Sequence, residues 1–132
     1  MPDAIGGGTV RVAKVTLTSA QVQALVTTPI TLVEAPGAGM IVSVLSATCY
    51  IDYNSVAYTT GADILIEYGT ATIVTFDGVL ALTADTVMVA SQGGNAAVGS
   101  VANAAVVITA DGVPGAGNSP VTVSVVYTLI GL

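Results

Sequence analysis

The run MIVSVLSATCYI, Met40 to Ile51, is so rich in β-branched and alternating apolar residues that an extended strand is the regular element it suits. A helix would need apolar residues returning every three or four positions, and this run does not supply them. Successive side chains of a strand point to opposite faces, which places Ile41, Leu45, Ala47, Cys49 and Ile51 on one side. Val42, Val44, Ser46, Thr48, Tyr50 and Asp52 fall on the other. The first set is nearly pure core; the second grades from apolar to polar. A polar turn region at 54–63 follows, and then Ile64, Ile66 and Tyr68 alternate with Leu65 and Glu67. The two runs are expected to pair as the centre of an antiparallel sheet.

The same pattern recurs along the chain. Strands are predicted at 10–17, 30–34, 70–76, 86–90, 104–109 and 120–130, the last (PVTVSVVYTLI) carrying the cleanest alternation. One short helix is expected near residues 18–26: Thr18 and Gln21 have capping-box spacing, Val22, Leu25 and Val26 share a face, and Pro29 stops it. Segment 79–84 (VLALTA) suits a short helix by composition and a strand by length, and Asp77-Gly78 before it is a hairpin turn pair. Segment 92–95 reads as a loop and 96–102 as irregular or edge-paired. Gly37 and Gly39 sit in a turn between strands; a β-branched run follows where a phosphate-binding loop would open a helix. About eight strands with one short helix argue an all-β fold, an antiparallel two-sheet sandwich that is jelly-roll-like. Residues 1–9, with Gly6-Gly7-Gly8, are expected to form a flexible N-terminal arm, and 10–132 a single β-sandwich domain.

Charge is where the chain departs furthest from ordinary domains. Only 8% of its 132 residues are charged, against about 25% in an average soluble domain. Surface scaling for this mass gives about 6,300 Å², or roughly 600 Å² for each charged side chain. Much of that surface must be Thr, Ser, Gly, Ala and Val, and burial against other subunits is the expected outcome. Lys and Arg together number 2 against 8 Asp and Glu, so no basic patch exists to meet a nucleic acid or an anionic membrane. Every apolar run is broken before the ~18 residues a membrane helix needs. Aromatics at 5%, with no Trp, are too few for the girdles of a membrane barrel. The N-terminus has neither the basic nor the apolar region of a secretory signal, so synthesis in a cytoplasm is expected.

Chemistry finds few handles. There is no His and one cysteine, which excludes imidazole ligation and the common nucleophilic triads, and Cys49 reads as a small apolar core residue. Asp77, Asp85 and Asp111 sit at turns, where Asp bonds its own backbone. Glu67 and Asp52 would approach each other across a hairpin. Oxygens of Asp52, Asn54 and Asp63 could serve a hard cation, but their spacing matches no calcium loop. No catalytic residue, metal, cofactor or small-molecule substrate is therefore expected, and the chain is not read as an enzyme. Tyr50, Tyr53, Tyr58 and Tyr68 fall in one short window, and the loop carrying Tyr53, Asn54, Tyr58 and Asp63 is the candidate partner-contact site.

The segments KVTLTSAQVQAL, TPITLVEAPGAGMIVSV, IDYNSVAYTTGADILIEYG and PVTVSVVYTLI, in that order, resemble structural proteins of tailed-bacteriophage virions. The resemblance is to jelly-roll decoration, or cement, proteins and covers nearly the whole of 10–130. It implies a protein on the capsid surface, synthesised in the host cytoplasm, that binds the lattice of major capsid protein as an oligomer, with a homotrimer expected. Two alternatives use the same features: a carbohydrate- or receptor-binding head on a tail fibre, and a self-assembling surface-layer or appendage subunit.

Overall fold

A computed structural model describes residues 9–59, 62–91 and 102–132. The arm expected at 1–9, Thr9 aside, and the loop and irregular segment expected across 92–101 lie outside the described residues. Eight strands form: β1 (Arg11–Leu17), β2 (Ile30–Val33), β3 (Met40–Ile51), β4 (Ile64–Tyr68), β5 (Ala71–Phe76), β6 (Thr86–Ser91), β7 (Val106–Ala110) and β8 (Val121–Gly131). The ambiguous stretch after β5 is a 3-10 turn, Val79–Ala81. The helix α1 is a single turn, Ser19–Gln23, opened by the Thr18–Gln21 capping box. Val22 and Leu25 are buried beneath it, while Val26 faces solvent.

Two four-stranded antiparallel sheets carry the fold, in the orders β1-β8-β3-β6 and β2-β7-β4-β5. The pairs β1·β8, β2·β7, β3·β6 and β4·β5 are all antiparallel. That is the pattern of one long hairpin, closed at the β4–β5 turn, wound so that successive pairs alternate between sheets. The sandwich is jelly-roll-like.

This winding overturns the expected pairing of the two central runs. β3 belongs to the first sheet and β4 to the second, so they face each other across the core instead of sharing hydrogen bonds. The hairpin lies one strand later, where Gly69, at φ +60, turns β4 directly into β5. Asp77-Gly78 likewise makes no hairpin: Gly78, at φ +70, opens the 3-10 turn that carries the chain from one sheet to the other.

Strict alternation along β3 also fails, for a legible reason. Its apolar residues change phase: Val42 and Val44 are even, Ala47, Cys49 and Ile51 odd, and all five are buried. A regular strand could bury only one of these sets. The register with β8 shifts between Val44 and Ser46, so Leu45 is a bulge and points outward. Tyr68 closes the gap from the opposite sheet, its buried hydroxyl accepting the Val44 backbone N–H at 3.0 Å.

The core between the sheets is built from Leu17, Ile51, Ile64, Ile66, Phe76, Leu80, Ile108 and the inward valines of β8. Cys49 lies fully within it, and burial pushes its thiol up to about 12. That is a packing cysteine, protonated and shielded from oxidants.

Candidate functional site

One end of the sandwich gathers five of the eight acidic side chains. Asp52 follows the last residue of β3, Asp63 precedes β4, Asp77 follows β5, Asp85 precedes β6 and Asp111 follows β7. The register pairs Ile51 with Val121 and Thr86, and Ile64 with Phe76 and Ala110, so in each sheet these strand ends lie side by side. Neither Lys14 nor Arg11 is there; both are on β1.

Three of these carboxylates are occupied by backbone. Asp85 accepts from the Tyr53 N–H at 2.8 Å, Asp111 from the Asp63 N–H at 2.7 Å and Asp63 from the Gly78 N–H at 2.9 Å. Each holds the start of a connection against the end of a neighbouring strand, the role short acidic side chains take at turns. Among the described residues no group of three or more Cys, Asp or Glu could hold a metal ion.

The predicted contact loop runs across this end, and it is fastened to the 111–120 connection. Asn118 Oδ1 accepts the N–H groups of Ser55 and Val56, its own N–H returns to the Val56 carbonyl, and its amide nitrogen donates to Ser55 Oγ. Ser119 Oγ accepts from the Asn54 N–H, and the Thr59 N–H donates to the Gly115 carbonyl. Asn54, Ser55, Val56 and Thr59 form the exposed rim.

The four candidate residues divide. Asn54 is exposed and Tyr53 is half-buried, its hydroxyl donating to the Ser55 carbonyl. Asp63 is half-buried and holds Gly78. Tyr58 is 2% exposed, and its hydroxyl donates to the Ser119 carbonyl at 2.6 Å. Burial pushes the Tyr58 phenol up to about 12. Tyr58 and Asp63 thus build the loop, leaving Tyr53 and Asn54 on its surface.

The tyrosines do not form one cluster. Tyr68 is buried at the opposite end of the core, beside Val44. Tyr50 lies on the outer face of the first sheet, where partial burial, Asp52 and Asp85 raise its pKa. Asp52 and Glu67 are not brought together: they belong to different sheets, and Glu67 accepts from Thr72. Sequence reasoning missed Asn118 and Ser119, which anchor the loop from more than sixty residues away. The Asn-Ser-Pro before β8 was a turn signal, but nothing local named the segment it would hold.

Over nearly the whole chain this architecture has a counterpart. A chain of the cyanophage Pam1 capsid asymmetric unit superposes with a TM-score of 0.58, covering 97% of this chain and 90% of that one at 20% identity. The shared feature is the fold. No protein-family model and no curated protein matches the sequence.

A second surface contrasts with the acidic end. The outer face of the β1-β8-β3-β6 sheet carries a band of hydroxyls, with Thr16 bonded to Thr122 at 2.9 Å and Thr48 to Ser124 at 2.7 Å. Beyond it, toward the start of β1, the same face turns apolar, and Val10, Val12, Leu45 and Ile130 are exposed. Among the described residues neither surface holds a nucleophile with a base or a paired acid and base. Both offer shape, hydroxyls and apolar area, the means of association.

Proposed function

We propose that this chain is a structural protein of a bacteriophage virion that decorates the capsid surface, binding the lattice of major capsid protein as a homotrimer. The observation carrying this reading is the full-length likeness to a chain of a cyanophage capsid asymmetric unit. A surface almost devoid of charge supports it, because such a surface is completed by neighbours. Strand edges fit the same picture: β6, an outer strand of its sheet, carries no charge and exposes Val87 and Val89. The mechanism is mass action. A protein that binds only the assembled shell lowers its free energy by the binding free energy of every copy seated.

No catalytic step belongs to this reading, and the chain acts without cofactor, nucleic acid or membrane. Newly made copies fold in the host cytoplasm and add to the shell. The test is cryo-electron microscopy of the native particle, with copy number from quantitative mass spectrometry. Density for this fold at symmetric positions on the capsid, in multiples of three, is the expected result. Density confined to the tail, or specific binding on a glycan array, overturns the assignment.

A further inference from the structure

The molecule has two unlike poles, and they separate what repels another copy from what attracts it. On the outer face of the first sheet Val12 stands opposite Val126, and Ile41 opposite Ile130, with the uncharged pair Ser43 and Thr128 between. Leu45, pushed out by the bulge, lies beside Ser46, the β3 partner of Val126, and Val10 precedes β1 at the same edge. Val10 is 58% exposed, Val12 66%, Leu45 45% and Ile130 43%. Together they leave on the order of a few hundred Å² of apolar surface open, the size of the largest patch on an ordinary monomer, which is often functional.

We infer that this apolar shoulder, centred on Val12, Leu45, Val126 and Ile130, is a self-association surface that seats a second copy of this chain. The argument for a copy is electrostatic. With a net charge of -6, two copies repel wherever their carboxylates approach. The strand-end aspartates, however, sit at the Val121 end of β8 and the shoulder at the Ile130 end. Five residues of strand separate Val121 from Val126 and nine separate it from Ile130, about 17 to 30 Å, at least twice the ~8 Å over which charges act at physiological salt. Contact through the shoulder therefore holds the acidic poles apart. A basic partner would be drawn to the aspartates instead, and an anionic bilayer would be repelled. Lys14 and Ser124, the next pair along the same face beyond Val12 and Val126, supply polar rim on one side, as interfaces of about 800 Å² per partner carry.

This deepens the oligomer in the proposed function, resting on it only for the biological setting, and the test runs without virions. The mass of the full chain is followed by sedimentation equilibrium across the micromolar range, for the natural sequence, for Val12→Asp with Ile130→Asp, and for Val89→Asp on the β6 edge as control. Circular dichroism reports folding. The expected results are an oligomer that dissociates on dilution, a folded monomer for the double variant with the dissociation constant raised about 100-fold, and an unchanged control. Should the aspartates prevent folding, Val12→Thr, close in shape, carries the test with about a tenfold shift. A natural sequence that stays monomeric, a variant that keeps its mass, or dissociation by Val89→Asp instead overturns the inference. A monomer that still binds capsids leaves the capsid reading standing; an oligomer absent from virions removes that reading alone.

Discussion

Tyr58 joins three segments of the acidic pole. Its hydroxyl reaches the Ser119 carbonyl, its N–H donates to the Leu80 carbonyl, and its ring lies against Gly117. Gly117 is held at φ +91, and a Cβ there would fall 2.4 Å from the ring. Gln23 of α1 donates to the Ala116 and Gly117 carbonyls, tying the helix into the same joint. Removing the hydroxyl with Tyr58→Phe leaves a buried carbonyl unpaired and is expected to cost about 1–2 kcal/mol in urea unfolding. Gly117→Ala, which strains the backbone and strikes the ring, should cost more, about 3 kcal/mol. An order reversed between the two would show that the hydroxyl, not the close approach, fixes the joint. The pH dependence follows from Tyr58 and Cys49 together. Both stay protonated in the folded chain to about 12, whereas the unfolded values are 10.0 and 9.0. Below the unfolded values both states hold these protons. As pH rises past them, the unfolded chain sheds protons the folded chain keeps, so stability falls through this window. Thermal unfolding in alkaline buffers should show that loss, and Cys49→Ala should remove its lower part; an unchanged profile would mean the thiol opens to solvent before unfolding.

Among the elements, β3 shows most clearly how sequence becomes structure. Its bulge at Leu45 lets two out-of-phase apolar sets face one core. Deleting Leu45 restores a regular strand in which Val42 and Val44 fall in phase with Ala47, Cys49 and Ile51, and the β8 partners on both sides of the bulge are kept. Both apolar sets then stay buried and only an exposed side chain is lost, so the deletion should change stability in urea unfolding by no more than about 1 kcal/mol. A loss of about 3 kcal/mol or more, the worth of two buried valines, would mean that the strand instead shifts register and turns one apolar set outward. The phase change was readable in the run itself, as Val42 and Val44 against Ala47, Cys49 and Ile51, once a bulge was admitted. What alternation could not give was the neighbour. It tells which face of β3 is buried, and is silent on whether β4 lies beside it or across from it. The strands themselves were legible because β-branched residues leave few other choices, and α1 because Thr18 and Gln21 carry its cap in four residues. The loop at 54–63 was legible as a turn. Its fastening was not, since Asn118 and Ser119 reach it only after winding has brought β8 back to β3.

At the scale of the molecule, winding explains a charge pattern that no local segment displays. Each strand-flanking aspartate sits at a break for its own turn, and the sheets then collect Asp52, Asp63, Asp77, Asp85 and Asp111 at one pole. Arg11 and Lys14 make no ion pair among the described residues, so salt has little attraction to screen. It has a good deal of repulsion to screen, because like charges concentrated at one end oppose the compact state. Raising ionic strength shortens the reach of that repulsion from about 30 Å at 0.01 M to about 8 Å at 0.15 M. Sodium chloride over this range should therefore stabilise the fold by a few tenths to about 1 kcal/mol. Asp52 and Asp77 are the sites for checking the cause, since their carboxylates accept no backbone N–H among the described residues. Asp52→Asn with Asp77→Asn should raise stability at low salt and flatten the salt dependence, both read from thermal unfolding at fixed pH. If salt instead destabilised the natural chain, attraction between charges, and not repulsion at the acidic pole, would govern its electrostatics.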